Sequence, residues 1–201
     1  MVNCAPEVTK TETRGLASVF RLNATYNRAL DVLFPRLCVR CGRPGSYLCL
    51  KCASTLVQIQ PPVCPICGRP QSSDILCPSC AGQHPAISAI RSVFRLEGAA
   101  RRAIHELKYN NLRAIAPTMA GYMATALDDE GYHPDLIVPV PLHKTRLRQR
   151  GYNQSELLAA ALSRDTEVPL HSEALMRVRN TESQVGSRSA SERARNVHGA
   201  F

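Results

Sequence analysis

Eight of the nine cysteines in this 201-residue chain form four CxxC pairs, and this pattern constrains the possible fold more than any other feature. The pairs are Cys38/Cys41, Cys49/Cys52, Cys64/Cys67 and Cys77/Cys80. Each CxxC turn can direct two thiolates at one tetrahedral ion, so that two turns complete a closed four-thiolate site. The pattern therefore predicts two structural zinc ions bound by these eight cysteines. Cys4 stands apart and is interpreted as a plain thiol.

Four disulfides or a redox-active CxxC are the other interpretations of these cysteines. Neither is favoured, because no thioredoxin-like βαβ pattern surrounds any pair and residues 1–30 lack the apolar core of a secretory signal. The grouping of the zinc ligands stays open, since pairing within each repeat unit and pairing across the two units both supply four thiolates. The short spacers of seven and nine residues favour local pairing, with one ion in each unit.

Composition divides the chain into three parts. Residues 1–33 are interpreted as a loose leader with a short docking helix. Residues 34–83 are rich in Cys, Pro and Gly, which is typical of a small domain that is not held by a hydrophobic core, and residues 84–201 form the larger domain. The formal charge of +9 favours anionic partners such as phosphates or nucleic acid. No apolar run approaches the roughly 18 residues of a membrane helix, so a soluble, cytoplasmic protein without membrane insertion is expected.

Hydrophobic periodicity predicts an α/β arrangement for the larger domain. Alternation and short apolar runs predict three strands, at residues 86–96, at 135–141 and around 174–178, and the strand at 135–141 is interpreted as buried. Helical spacing predicts helices over residues 98–109 and 112–127. Asn153, with Glu156 three residues later, resembles a capping box and opens a helix that ends near residue 163.

The sequence KTRLRQR, residues 144–150, lies between the predicted strand at 135–141 and the helix that follows Asn153, and we refer to it as the basic segment. Strand-to-helix loops are common ligand sites in α/β proteins, and a helix N-terminus adds backbone donors for an anion. Phosphate or pyrophosphate is the expected ligand, and the candidate binding residues are Lys144, Arg146, Arg148, Arg150, Gly151, Asn153 and Gln154. A solvated surface loop is the alternative, since charge runs usually face water. His143 is interpreted as a surface residue and not as a general base.

The order of these features resembles the ComF family of competence-associated proteins, in which a double zinc ribbon precedes a domain similar to type I phosphoribosyltransferases. The matching segments are LFPRLCVRCG, the two ribbons, AIHELKYNN, DLIVPVPLHKTRLRQRGYNQSELLA and RNTESQVGSRSASERARNVHGAF. The resemblance implies that residues 138–154 form a pyrophosphate loop that holds the leaving group of phosphoribosyl pyrophosphate (PRPP). The expected fold class is α/β, with an N-terminal Cys-rich double zinc ribbon followed by an incomplete type I phosphoribosyltransferase-like domain.

The resemblance also implies a flexible hood over residues 181–196 that closes over PRPP. The hood residues expected to face the ligand or to anchor the loop are Gln184, Arg188, Arg193 and Asn196. A capped surface helix with its loop, opened by Ser189 and Glu192, is the alternative interpretation of the same residues.

One feature of the family is missing from this sequence. Family members continue into a strand with two adjacent acidic residues and a Thr/Gly turn, a motif that resembles the site for the ribose, Mg²⁺ and 5-phosphate of PRPP. No acidic pair followed by Thr-Thr-Gly occurs here. Transferase chemistry depends on positioning the ribose and stabilising an oxocarbenium-like charge, so these 201 residues alone are expected to be inactive. Mg²⁺ with PRPP is expected only in a complete form.

Three functions are consistent with these features. The first is a phosphoribosyltransferase-like protein that binds PRPP and is linked to DNA uptake in competence. The second is a non-enzymatic zinc-ribbon protein that binds single-stranded DNA, which the positive charge favours and the scarcity of aromatic residues opposes. The third is a scaffold whose ribbons dock a partner such as a DNA-uptake protein.

Overall fold

The computed structural model describes residues 35–82, 86–182 and 189–201, and it is mainly helical outside the Cys-rich part. The helices are α1 (Leu50–Ala53), α2 (Pro78–Ala81), α3 (Gly98–Tyr109), α4 (Ala116–Asp129), α5 (Lys144–Arg150), α6 (Gln154–Thr166) and α7 (Ala190–Val197). A 3-10 turn at Arg113–Ile115 leads directly into α4. The predicted leader and docking helix at 1–33 lie outside the described residues. The predicted domain limits at 34–83 and 84–201 stay predictions.

The two Cys-rich units share one backbone plan. After the first CxxC turn of each unit, a glycine N–H donates to the carbonyl of the first cysteine, from Gly42 to Cys38 at 2.8 Å and from Gly68 to Cys64 at 2.9 Å. The same turns are closed by antiparallel bridges, Leu37 with Pro44 and Val63 with Pro70. The third cysteine of each unit precedes the short helix, α1 or α2, that carries the fourth. The repeat in the sequence is therefore a repeat in the structure.

Gly42 and Gly68 offer a matched test of this plan, because both have left-handed φ, at +72° and +65°. A Cβ on Gly42 meets nothing within 4 Å, whereas a Cβ on Gly68 would lie 2.5 Å from the carbonyl oxygen of Ile90. We expect Gly42→Ala to cost about 1–2 kcal/mol from backbone strain alone. Gly68→Ala should cost a further 1–3 kcal/mol or so, because the backbone at Ile90 has to move.

Thermal unfolding of the two zinc-loaded variants measures this difference. Gly68→Ala is expected to have the lower Tm, and equal Tm values for the two variants would contradict the close approach of the Ile90 carbonyl to the second ribbon.

The main hydrophobic cluster lies where α3, the 3-10 turn and the start of α6 meet. Leu107 and Ile115 are its most deeply buried large side chains, and Tyr152 packs beside them. The Tyr152 hydroxyl donates a hydrogen bond to the Leu107 carbonyl. Val39 and Tyr47 of the first ribbon pack against the same cluster, so the ribbon is attached to the larger domain through apolar contact.

A second cluster forms where α4 packs along α6. Ala120 of α4 and Ala161 of α6 are fully buried, with Leu162 beside them and Ile137 packed against the group. Small residues at the contact let the two helix backbones approach closely, and that approach is consistent with the extensive contact between these helices. This packing fixes α6, whose N-terminus follows the basic segment.

The strands of the structure differ from those predicted from the sequence. In the described residues, the segment predicted as a strand at 86–96 forms a single antiparallel bridge, from Phe94 to Gln58. Two backbone hydrogen bonds flank it, from Ile59 to Val93 at 3.2 Å and from Arg95 to Val57 at 2.9 Å. The segment therefore pairs with the chain leaving the first ribbon and not with a parallel sheet.

The predicted strand at 135–141 is likewise reduced to one parallel bridge, between Ile137 and Leu170. Its predicted burial was wrong, because Leu136, Val138 and Val140 are exposed. The Ile137 N–H donates to the Pro169 carbonyl at 2.8 Å, and the Ile137 carbonyl accepts from the His171 N–H at 2.9 Å. Pro139 and Pro141 lack N–H donors, so the ladder cannot extend far. Helices α5 and α6 lie between the two paired segments along the chain, which is the connectivity of an α/β unit.

The segment predicted as a strand around 174–178 contains no bridge in the described part of the chain. It makes one backbone bond toward the C-terminal residues, from the Val178 N–H to the Ala200 carbonyl at 2.9 Å. Three of the helix predictions agree with the structure, in α3, in α4 with its 3-10 turn, and in α6. The basic segment was predicted as a loop, and this was wrong over 144–150, where the chain forms α5.

Candidate functional site

The eight paired cysteines meet in two separate clusters of four. The sulfur atoms of Cys38, Cys41, Cys49 and Cys52 lie within 4.8 Å of one another, and so do those of Cys64, Cys67, Cys77 and Cys80. Each cluster uses only the cysteines of its own unit, which is the local grouping that the short spacers favour.

The distances within the clusters fit zinc and not disulfides. The Sγ atoms of Cys41 and Cys49 are 3.7 Å apart, and those of Cys67 and Cys77 are also 3.7 Å apart. A disulfide requires a separation of about 2.05 Å. Tetrahedral zinc with bonds of about 2.3 Å to sulfur places neighbouring sulfurs nearly 4 Å apart, which agrees with the observed spacing.

Backbone donors support the sulfur atoms. In the two units the N–H of the third cysteine donates to the sulfur of the first, from Cys49 to Cys38 and from Cys77 to Cys64, at 3.5 Å in both cases. For Cys38, burial acts to raise the pKa, but backbone donors, first that of Cys49, lower it to about 6. Backbone donors, first that of Cys77, lower the pKa of Cys64 to about 6 as well. The first cysteine of each cluster is thus prepared as a thiolate.

The fourth cysteine of each cluster is shifted in the opposite direction. Burial, reinforced by hydrogen bonds with the neighbouring cysteine side chains, raises the pKa of Cys52 and of Cys80 to about 12. A cluster of four thiolates therefore needs a cation to offset its charge, and uptake of the metal releases protons. Because all four positions around each ion are taken by sulfur, none is left open for water or substrate, and the zinc supports the fold.

The candidate phosphate site is built around the side-chain caps at the N-termini of α5 and α6. The His143 side chain accepts from the Thr145 N–H at the start of α5, and Gly151, with φ +78°, ends the helix. The Asn153 side chain accepts from the Ser155 N–H at the start of α6 and donates to the Val140 carbonyl at 3.1 Å. The N-terminus of α6 is thereby tied to the end of the segment at 135–141.

Two of the basic side chains of α5 form hydrogen bonds with other parts of the chain, and the other two are exposed to solvent. Arg146 donates to the Thr181 carbonyl at 3.2 Å, and Arg150 donates to the side-chain oxygen of Gln154 at 2.9 Å. The side chains of Lys144 and Arg148 are exposed. The structure therefore places Arg150, Asn153 and Gln154 together at the start of α6, with Arg146 reaching across to the segment that follows residue 176.

Gln154 is the residue of this group with an unused donor. Its side chain is only 7% exposed, and its oxygen accepts from Arg150. Its side-chain nitrogen is buried and has no hydrogen-bond partner. An unpaired buried amide costs about 1–3 kcal/mol, so this donor is available for a ligand at the N-terminus of a 13-residue helix.

Arg177 and Arg179 were not predicted at this site, and Thr181 was predicted only as the first residue of the hood segment. Thr181 is buried, and its hydroxyl accepts from Arg177, while its carbonyl accepts from Arg146. Burial, with Arg146 and Arg179 nearby, lowers the pKa of Arg177. The alternating arginines of the segment RVRNT are the sequence signal that could have shown this cluster.

The predicted hood residues have different positions. Gln184 and Arg188 lie outside the described residues. Asn196 of α7 donates to the Glu182 carbonyl at 3.0 Å, and Arg179 donates to the Asn196 carbonyl at 2.9 Å. Arg193 lies on the exposed side of α7. Asn196 therefore anchors the two ends of the segment that was predicted as the hood.

A cavity of about 650 Å³ lies elsewhere, between the second ribbon and α4. Val63, Asp74, Tyr122 and Tyr132 are among the residues that line it, and no candidate phosphate-binding residue does. Along the described part of the chain, no helix has the length and apolar character needed to cross a membrane.

The fold and the two clusters define a double zinc-ribbon protein with two four-cysteine zinc sites. Residues 29–81 match the family model of the double zinc ribbon domain. The chain is 32% identical to the DNA utilization protein YhgH of Escherichia coli K12 over 176 residues, which cover 83% of this chain and 77% of that protein. The chain therefore belongs to the ComF family.

Two further relatives come from other bacteria. Competence protein F of Haemophilus influenzae is 31% identical over 160 residues, covering 77% of this chain and 69% of that protein. Competence protein ComFC of Bacillus subtilis is 29% identical over 138 residues, covering 64% of this chain. The match spans 56% of the length of ComFC. No solved structure matches the chain.

Proposed function

We propose that this chain binds the pyrophosphate group of a phosphorylated sugar such as PRPP at the start of α6, within a phosphoribosyltransferase-like α/β domain. The unpaired side-chain nitrogen of Gln154 is the observation that carries this proposal. It lies at a helix N-terminus, where backbone N–H groups and the helix dipole favour an anion. Arg150 supplies positive charge through its bond to the same glutamine side chain.

Two structural features support the proposal. The parallel bridge between Ile137 and Leu170, with α5 and α6 between them in the chain, gives the connectivity of an α/β unit. In such units ligands bind at the carboxyl ends of the strands, which is where Asn153 contacts the Val140 carbonyl. Arg146, Arg177 and Arg179 add positive charge close to Thr181, on the segment that follows the bridge.

We assign binding and orientation to these residues, and not transfer chemistry. The sequence contains no acidic pair followed by Thr-Thr-Gly, the motif that the family resemblance associates with ribose, Mg²⁺ and the 5-phosphate. Where such a motif accompanies this domain, Mg²⁺ would bind together with PRPP, and the α6 N-terminus would hold the leaving pyrophosphate.

We further propose a competence-related role in the use of DNA, carried out in the cytoplasm. The names of ComFC, YhgH and competence protein F support this role. Eight cysteine thiols kept available for zinc are consistent with a reducing compartment. The zinc ribbons are then a structural module beside the phosphate site.

Titration calorimetry of the zinc-loaded protein with pyrophosphate and with PRPP tests the phosphate site. We expect binding by the native chain and a roughly tenfold or greater loss of affinity in Gln154→Met, because a hydrogen bond to a charged ligand contributes about 1.5–3 kcal/mol. Gln149→Met, at an exposed position of α5, is the matched control and should bind as the native chain does.

Two results would count against the phosphate site. One is the lack of any heat with pyrophosphate in the native chain. The other is a Gln154→Met protein that retains native affinity, since the free amide would then have no part in binding. Inorganic sulfate serves as a comparison anion for nonspecific attraction to the basic surface.

The second candidate function is that of a non-enzymatic zinc-ribbon protein that binds single-stranded DNA or a partner protein. The single-stranded DNA version is favoured by an exposed surface of α3 that combines rings and positive charge. This surface is distinct from the Gln154 amide, although Arg150 lies between the two.

A further inference from the structure

The cavity between the second ribbon and α4 has the size of a small-molecule site. Its volume of about 650 Å³ lies within the roughly 300–1,000 Å³ of typical ligand pockets. Its walls come from the second ribbon, from the two segments that pair at Gln58 and Phe94, and from α4 with the residues that follow it. None of the eight zinc-binding cysteines lines it. A ligand in this cavity would therefore contact the ribbon and the larger domain together.

The apolar part of the cavity wall is supported by the core. The Tyr122 ring packs edge-to-face against Phe94, with ring centres 5.1 Å apart at an angle of 78°. Met123 and Leu127 also line the cavity, and both pack against the hydrophobic cluster between α4 and α6. These side chains leave an apolar space that the hydrocarbon body of a ligand can fill.

Arg91 links the two sides of the cavity, and its charge is already paired. Its guanidinium donates to Glu130 at 2.8 Å and to the Pro65 carbonyl at 3.0 Å, which ties the residue after α4 to the second ribbon. The same group lies 5.8 Å from the centre of the Tyr132 ring. Because Arg91 pairs with Glu130, its charge is not available to neutralise a second carboxylate.

Two further carboxylates line the cavity, at Asp74 and Asp129. Both residues are exposed, and in the parts of the chain that the structure describes neither forms an ion pair. The Asp74 carboxylate accepts from the Val63 N–H at 3.2 Å. The lining thus has three carboxylates against one guanidinium, a net charge of −2, in a chain with a formal charge of +9. The complementary ligand is a cation.

A metal ion is a poor match for this cavity. Among the described residues, the two cysteine clusters are the groups in which three or more potential metal ligands meet, so the cavity carboxylates do not converge on one ion. A hydrated ion would also leave the apolar wall in contact with water. A protonated amine on a hydrocarbon body matches both the carboxylates and the apolar wall.

We infer that this cavity binds a small organic cation with an aromatic body, whose protonated amine pairs with Asp129 while its ring lies against Tyr122 and Met123. Burial of the ring supplies affinity, and the carboxylates select the charge. The inference goes beyond the proposed function and does not rest on it, since no candidate phosphate-binding residue lines the cavity.

Titration calorimetry of the zinc-loaded protein with three indole compounds tests the preference for positive charge. Tryptamine carries an amine, tryptophol a neutral hydroxyl and indole-3-acetate a carboxylate on the same ring system. We expect saturable binding of tryptamine and roughly three- to tenfold weaker binding of tryptophol, because attraction to exposed carboxylates is partly screened by water. Indole-3-acetate should bind least. Tryptamine should also raise the Tm, because it binds the folded state.

Three variants locate the site. Asp129→Asn should weaken tryptamine binding by roughly three- to tenfold and leave tryptophol binding unchanged, because it removes only charge. Asp128→Asn is the matched control, since this neighbouring exposed carboxylate does not line the cavity. Ala126→Phe places a ring at the cavity wall and should abolish binding of both compounds. Its zinc content and Tm show whether it folds, and Asp129→Asn tests the site at an exposed position that does not endanger the fold.

Several results would overturn the inference. They are a lack of saturable tryptamine binding, equal affinity for tryptamine and tryptophol, an equal loss in Asp128→Asn and Asp129→Asn, or native affinity in a folded Ala126→Phe protein. In an NMR titration with tryptamine, shifts of the backbone amides at 58–63 and 122–130 would support the cavity. Shifts confined to other residues would place the amine elsewhere and contradict the assignment.

Pyrophosphate calorimetry on the same variants separates this site from the phosphate site. Asp129→Asn should bind pyrophosphate as the native chain does, because Asp129 does not belong to the residues assigned to phosphate. If pyrophosphate failed to bind the native chain while tryptamine bound with the expected charge preference, the phosphate site would be wrong and the cavity site would stand.

Discussion

Replacing Cys64 with serine is expected to remove one of the two zinc ions and to unfold the second ribbon. Cys64 is fully buried, and its sulfur accepts the Cys77 N–H within a cluster of four thiols. Structural zinc contributes on the order of 10–16 kcal/mol at neutral pH in small ribbons, far more than a domain of this size can replace with apolar burial. A native mass spectrum should therefore show one zinc ion on the variant and two on the 22.1 kDa native chain.

The control for this experiment is the same chemical change at Cys4, which belongs to none of the four pairs. Cys4→Ser should retain both ions. Because the two clusters share no ligand, the first site should stay filled in Cys64→Ser. Loss of both ions from Cys64→Ser, or retention of both, would show that the clusters are not the independent sites described above.

Truncating Leu107 to alanine is the second change with a large expected effect. The side chain is 1% exposed and lies in the cluster that joins α3, Ile115 and Tyr152. Its loss leaves a cavity where the first ribbon, α3 and the start of α6 meet. We expect the free energy of unfolding to fall by about 2–5 kcal/mol, measured by urea denaturation of the zinc-loaded protein.

Leu96→Ala is the matched truncation at an exposed position, where 67% of the side chain is accessible. Surface changes of this kind usually stay within about 0.5 kcal/mol. If the two leucine variants lost similar stability, the assignment of Leu107 to the core that positions α6 would be wrong.

The zinc sites were predictable from the sequence because their chemistry is local. Two CxxC turns with a short spacer define a four-thiolate site with almost no help from the rest of the fold. The helices were predictable for a similar reason, since helical spacing in α3 and the Asn153 cap of α6 are properties of short segments. These local patterns do not predict how the segments pack against one another.

The strands were harder because a ladder depends on its partner. The apolar run at 135–141 looks like a buried strand, but Pro139 and Pro141 remove donors and leave only the bridge from Ile137 to Leu170. The segment at 86–96 alternates like a strand and pairs with the ribbon exit at Gln58. The sequence of either segment alone does not predict the residue with which it pairs.

For the basic segment too, local features were predictable from the sequence and contacts between distant residues were not. Its charge and its helix cap are visible in the sequence. The burial of Gln154 depends on how α6 packs, and the approach of Arg146 to Thr181 joins residues 35 positions apart. The stacking of His105, Tyr109 and Arg150 depends on the position of α5 relative to α3. The sequence indicates an anionic partner, and the structure identifies which donors are unused.

The most direct test of the phosphate site is an NMR titration of the ¹⁵N-labelled, zinc-loaded protein with pyrophosphate. We expect the side-chain amide signals of Gln154 and the backbone amide signals of residues 151–155 to shift first and to saturate together. Saturable binding that left the Gln154 side-chain signals unchanged, or that shifted only residues 101–109, would contradict the assignment of pyrophosphate to the start of α6.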